Sequence, residues 1–243
     1  MMETVKAIIF DFIGTLATVE DYSYEKSERK LYESLLDAGF KTDYASFVEA
    51  YEKAHEKHRI IRYQELVEVT NAVWTSEALS MLGYSTTPNE ERITTAINSF
   101  FEDYIQSLKL RPNTTKVLEK LATNFALGLV SNFTYAPVIH TAVEKLGIAR
   151  YFDQVLVSQD FGWRKPSSKV FEEILRRLSA LGEETVYVGD SPLEDIKGAQ
   201  NASMKTIFIP SQFYGLADLE KAAIRPNIVI KDLNEILEIL SLV

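Results

Sequence analysis

Apolar residues run almost unbroken through Val5-Lys6-Ala7-Ile8-Ile9-Phe10. That is the pattern of a central strand covered on both faces. Asp11 stands at its C-terminal end, and Gly14 follows where a residue with a Cβ would resist a bend. The period then changes. From about residue 18 to 108 apolar positions recur at helical spacing: Leu31, Leu35 and Leu36, then Phe47, Tyr51, Ala54 and His58. Leu66, Val69, Val73 and Ala78-Leu79 continue the pattern, and Ile93, Ile97, Phe101, Tyr104 and Leu108 form the longest stripe. No strand is predicted here, and rings at this spacing are expected to be helix-packing core. Thr86-Thr87-Pro88-Asn89 breaks the helices, and Arg111-Pro112-Asn113 marks the return to a different pattern.

Beyond it, strands and helices alternate. Helices are predicted over about 113–123, 135–146 and 167–178, after Asp190, and over 233–241. Strands are predicted at 125–130, 154–157, 185–188, 206–209 and 228–230. Strands spaced by single helices make βαβ units and a mostly parallel sheet, with right-handed crossovers placing helices on both faces. The expected class is α/β: a three-layer, Rossmann-like parallel sheet core over 1–17 and 109–243, with an all-helical domain over 18–108 inserted in it.

Such sheets bind ligands just beyond the C-terminal ends of their strands. Asp11, Ser131 and Asp190 all stand there, and Asp195 lies in the helical region after Asp190. Carboxylates converging at one sheet edge repel unless a cation or protons lie among them. Mg²⁺ takes hard oxygen ligands and pairs with phosphate. Such an ion would align an attack by Asp11. Lys165, before Pro166 at a helix start, can offset anionic charge near Asp11. Ser131 and Asn132 can bind a phosphoryl oxygen or simply cap the strand end. Thr15 can bind phosphate or cap the next helix, and Arg164 is expected to be structural or at the surface.

Composition narrows the partners. With no cysteine, disulfides, thiolate metal sites and a cysteine nucleophile are excluded. A net charge of -9 disfavours nucleic acid and anionic membranes. No apolar run approaches the roughly 20 residues a bilayer span needs, and residues 1–10 carry no signal-peptide pattern. A cytoplasmic protein, monomer or homodimer, is expected. The absence of a dinucleotide glycine fingerprint after the first strand argues against a nicotinamide site.

Taken in order, Asp11 to Leu16, Ser131, Lys165, and Gly189-Asp190 through Asp195-Ile196-Lys197-Gly198-Ala199 resemble the four motifs of the haloacid dehalogenase-like hydrolases. The resemblance covers essentially the whole chain, and the helical insert resembles that family's cap. It implies an aspartyl-phosphate on Asp11. It also implies Mg²⁺ held by Asp11, the Ile13 carbonyl and Asp190, with Asp195 supporting. A small phosphorylated substrate would be bound by Ser131, Lys165 and the amides near Phe12 and Ile13.

One departure matters. Phosphatases of the family usually carry a second Asp where this chain has Ile13. That residue protonates the leaving oxygen and then activates water, and losing a general acid/base costs roughly 10²–10⁴ in rate. Three readings stay open: a phosphatase with weakened acid/base chemistry, a phosphonate or other C–X bond hydrolase, and a low-turnover binding protein. Lys53 and Lys57 are the candidates for a Schiff-base lysine, although their Glu neighbours predict a solvated face. His55 and His58 are the candidates for a substitute acid/base, against cap packing.

Overall fold

The computed structural model describes residues 5–240, so residues 1–4 of the opening segment and residue 241 of the expected closing helix lie outside the described residues. The chain divides into two compact units. One runs up to Val19 and resumes at Leu108, and the other is Glu20–Ser107.

In the first unit the opening apolar run forms β1 (Ala7–Phe10), buried along its whole length. β2 (Ala17–Val19) and β3 (Leu108–Leu110) pair antiparallel, Ala17 opposite Leu110. This corrects two expectations: no strand was predicted over 18–108, and Leu108 was placed on a helical stripe. Three residues are too few to display a period of two, and the pairing partner is remote in sequence.

The chain then alternates. α5 (Thr114–Leu121) leads to β4 (Ala126–Ser131), α6 (Ala136–Lys145), β5 (Gln154–Val157), α7 (Ser158–Phe161), α8 (Ser168–Leu178) and β6 (Thr185–Gly189). A wide turn over Pro192–Lys197, with Ile196 N–H reaching back to Ser191 O, runs into α9 (Gly198–Asn201). β7 (Lys205–Phe208), α10 (Leu216–Ala222), β8 (Ile228–Val229) and α11 (Glu235–Ile239) complete the unit.

The sheet is six-stranded and parallel, in the order β5-β4-β1-β6-β7-β8. Ile9, Val130, Leu156 and Tyr187 pack with Val170, Phe171 and Ile174 of α8. Ile8 and Phe10 point to the opposite face and are fully buried too, so both faces are covered. β1 is flanked by β4, reached first, and by β6, reached after β5. The chain therefore reverses its direction of growth across β1, which opens a crevice beyond the ends of β4, β1 and β6.

The second unit is helical: α1 (Tyr24–Asp37), α2 (Tyr44–Glu65), α3 (Asn71–Met81) and α4 (Glu91–Ser107). Ser23 caps α1 and Asp43 caps α2 by accepting first-turn amides. Leu31, Phe47, Tyr51, Ile93, Ile97 and Phe101 are buried, as core rather than as a ring platform. Among the described residues no helix is long and apolar enough to cross a membrane.

Candidate active site

The end of β1 delivers Asp11 into the crevice, buried and anchored by its own N–H to Val188 O at 2.9 Å. Lys165 arrives from the loop between α7 and α8. Its ammonium is 2.8 Å from Asp11 Oδ1, 2.6 Å from Asp195 Oδ1, 3.0 Å from Tyr187 Oη and 3.2 Å from the Val130 carbonyl. Burial alone would lower its pKa, but the charges of Asp11 and Asp195 outweigh burial and hold it well above the usual lysine value. The second Asp11 oxygen, Oδ2, is buried and has no hydrogen-bond partner.

Asp190 follows β6 directly, and Asp195 sits in the wide turn after it. Asp195 is engaged through both oxygens. Oδ1 accepts from Lys165 and from Tyr187 Oη at 3.1 Å, and Oδ2 accepts the N–H groups of Asp190 and Ser191 at 3.1 and 2.9 Å. Tyr187 lies wholly buried beneath, and burial raises its phenol well above the usual range. Gly14 has φ +103°, and a Cβ there would fall 2.2 Å from Asp190 Oδ2. The backbone can approach Asp190 this closely only as glycine.

Asp11, Asp190 and Asp195 each offer an oxygen within 4.8 Å of the others. Burial, reinforced by Asp195 and opposed by Lys165, pushes the Asp11 carboxyl up to about 7. Burial and then the charges of Asp11 and Asp195 push Asp190 up to about 8. Buried carboxylates whose protons are held this tightly, gathered within 4.8 Å of one another, fit a hard divalent cation. Asp11 and Asp190 are the side chains available to hold it. Asp195, with both oxygens hydrogen-bonded, is placed to support them.

Ser131 is buried at the end of β4, and Thr15 is buried with its Oγ1 unpartnered. Asn132 is engaged elsewhere. Its Oδ1 accepts the Lys165 N–H at 2.8 Å, while Nδ2 donates to Lys165 O and Glu194 Oε2, each at 3.0 Å. Glu194 also accepts from Arg164 at 3.1 Å. These bonds tie the ends of β4 and β6 to the lysine loop. Ile13 is half-buried and bridges to Ala17, with no ionisable side chain at its position.

Within the helical unit, His58 Nε2 is 2.6 Å from Glu77 Oε2, and Lys57 donates to Glu77 Oε1 at 2.6 Å. The His55 ring packs 5.1 Å from Trp74, Lys53 is exposed, and these groups are held in local pairs or at the surface.

Sequence reasoning missed Tyr187, Glu194, Arg111 and Ser211. Arg111 donates to the carbonyls of Gly14 and Pro210 at 2.7 and 3.0 Å, and Ser211 donates to Asp190. Tyr187 is concealed by its place inside an apolar strand, and the other three carry no motif spacing.

A family model described as haloacid dehalogenase-like hydrolase matches residues 8–209. A glyceraldehyde 3-phosphate phosphatase of Methanothermobacter thermautotrophicus is 37% identical over 134 residues, 53% of this chain and 58% of that protein. The chain thus spans a little over half the length of that relative. One of the same name from Methanopyrus kandleri is 29% identical over 210 residues, 84% of each chain. A ribulose-1,5-bisphosphate 5-phosphatase of Halopiger xanaduensis is 26% identical over 212 residues, 85% of each. Among solved structures, a 2-haloacid dehalogenase from Pseudomonas syringae pv. Tomato superposes with a TM-score of 0.70 at 26% identity, covering 98% of both chains.

Proposed function

The chain belongs to the haloacid dehalogenase-like hydrolases, and we propose that it is a Mg²⁺-dependent phosphatase of a small phosphorylated metabolite, with Asp11 as nucleophile. The observation that carries this is the asymmetry of Asp11. Lys165 holds Oδ1 at 2.8 Å, while Oδ2 is buried and unpartnered, and Asp190 and Asp195 each bring a carboxylate oxygen within 4.8 Å of one of Asp11's. Oδ2 is the atom free to attack phosphorus. The phosphatase relatives point to a phosphorylated sugar or triose as the substrate class.

In this reading the sheet unit is the catalytic core and the helical unit the cap. Asp11 takes the phosphoryl group as an aspartyl-phosphate and the ester oxygen departs, after which water returns the group as inorganic phosphate. Lys165, Ser131 and Thr15 hold the phosphoryl oxygens. Asn132, engaged with the lysine backbone, acts by fixing that loop. Mg²⁺, held by Asp11, Asp190 and the Ile13 carbonyl, would neutralise phosphoryl charge. Ile13 cannot protonate the departing oxygen, so esters with acidic leaving groups are favoured.

Two observations favour a second reading, cleavage of a carbon–halogen bond: Ile13 itself, and the 26% identity to the dehalogenase structure. The Asp190 and Asp195 pair, which suits a metal and phosphate, weighs towards the phosphatase. One screen separates them. The parent and Asp11→Asn are assayed with and without Mg²⁺ on glyceraldehyde 3-phosphate, ribulose 1,5-bisphosphate, an aryl phosphate and 2-haloacids. Phosphate release that needs both Mg²⁺ and Asp11 is expected, and metal-independent halide release would replace the proposal.

A further inference from the structure

Asp190 is the carboxylate directly after β6, and the proposed metal site depends on where its two oxygens point. One of them is engaged. The Ser211 hydroxyl, from the loop after β7, donates to Asp190 Oδ2. A hydroxyl has a single proton and can rotate, so its direction needs fixing. Here the backbone fixes it. Ser211 Oγ accepts the N–H groups of Phe213 and Tyr214 at 2.9 and 3.2 Å, and the Ser211 N–H donates to Tyr214 O at 2.8 Å. With two donors on the oxygen, the remaining direction for the proton is towards the carboxylate.

The loop that carries Ser211 is held from two other sides. Arg111 bridges the carbonyls of Gly14 and Pro210, joining the turn after Asp11 to the residue before Ser211. Gln212 pairs with Val19 through both ends of its amide, each bond 3.0 Å long. Gly14, lacking a Cβ, lets that turn lie against the same Asp190 oxygen.

We propose that Ser211 is a positioning residue for the metal site: by occupying Asp190 Oδ2 it leaves Oδ1 as the oxygen presented to the cation. Arg111 and Gln212 hold the loop in register for this. The inference rests on the metal site of the proposed function and adds a residue to it. Hydrogen-bonded partners of metal-binding carboxylates typically change affinity 10–100-fold when removed.

The test is calorimetric titration of Mg²⁺ alone into the parent, Ser211→Ala and Ser211→Thr, with melting temperatures as a check on folding. Ser211→Ala should bind Mg²⁺ about tenfold more weakly. Ser211→Thr, which keeps the hydroxyl, should stay within about threefold of the parent. Affinity in Ser211→Ala within twofold of the parent would overturn the proposal. So would equal losses in both variants, since the loop's shape rather than the hydroxyl would then be responsible. A parent that binds no Mg²⁺ overturns it together with the metal reading. Because the titration reads the metal directly, a parent that binds Mg²⁺ but cleaves no phosphate ester removes only the phosphatase reading, and the variants still decide this one.

Discussion

Lys165 Nζ stands 2.8 Å from Asp11 Oδ1 inside the protein, although the two residues are 154 positions apart in sequence. The pair divides the carboxylate into a held oxygen and a free one. Lys165 is 1% exposed, with Asp195 and Tyr187 on its other sides. A guanidinium is larger and planar, and it does not fit a niche shaped for an ammonium. Lys165→Arg should therefore lose at least about 100-fold in kcat, well beyond the loss of a uniform binding contact. Steady-state rates on an aryl phosphate check this, and a variant within tenfold of the parent would mean that the ammonium does not orient Asp11.

Gly14→Ala tests the close approach to Asp190. The added Cβ would meet Asp190 Oδ2 at 2.2 Å on a backbone with φ +103°. Either the turn or the carboxylate must move. The expected result is a loss of about 1–3 kcal/mol of stability from the backbone alone, with Mg²⁺ affinity falling further than in Ser211→Ala. Chemical denaturation and calorimetry measure the two effects separately. Unchanged Mg²⁺ affinity would show that Asp190 tolerates displacement.

The acidity of the site has a sign that can be worked out. In the metal-free protein burial lifts Asp11 to about 7 and Asp190 to about 8, from an ordinary value of 3.8. The unfolded chain gives up these protons first. The two groups therefore reduce stability progressively as pH rises from about 4 to about 8. A divalent cation replaces the protons, so it competes with them at low pH and not at high pH. Saturating Mg²⁺ should raise the melting temperature more at pH 8 than at pH 5.5. Scanning fluorimetry at both values is sufficient, and an equal or larger gain at pH 5.5 would contradict the assignment of Asp11 and Asp190 to the metal.

Ile13 bears on the reaction itself. Ile13→Asp supplies a proton donor where none exists and should raise kcat/KM, most on alkyl phosphates, whose leaving groups need protonation. The gain stays below the roughly 10²–10⁴ available to a well-placed general acid, because a half-buried carboxyl shifts its own pKa. Measuring one aryl and one alkyl phosphate decides it. No gain on either, with Mg²⁺ still bound, would place the proton donor elsewhere.

Much of the sheet was legible because its strands are continuous apolar runs separated by single helices, and Asp11, Ser131 and Asp190 end three of them. Lys165 and Asp195 could be placed by motif order. What could not be read was the support around them. Tyr187 lies in Thr185-Val186-Tyr187-Val188, where an aromatic residue reads as core, and only the folded pairing of β6 with β1 sets its phenol under Lys165. Ser211 belongs to a Pro-Ser-Gln loop with no periodicity, and its bond to Asp190 comes from the neighbouring positions of β6 and β7. β2 and β3 were missed because short strands are defined by their partners. The amide of Asn132 is bonded to the Lys165 backbone and Glu194, an engagement that residue type does not reveal.

As the proposed nucleophile, Asp11 itself carries the phosphoryl group during turnover. Acid quenching during turnover of a phosphate ester with Mg²⁺, followed by peptide mass mapping, tests it most directly. The peptide containing Asp11 should gain the mass of one phosphoryl group in the parent and none in Asp11→Asn, which should also lose hydrolysis. Mg²⁺-dependent phosphate release that persists in Asp11→Asn, with no adduct on the Asp11 peptide of the parent, would contradict the account.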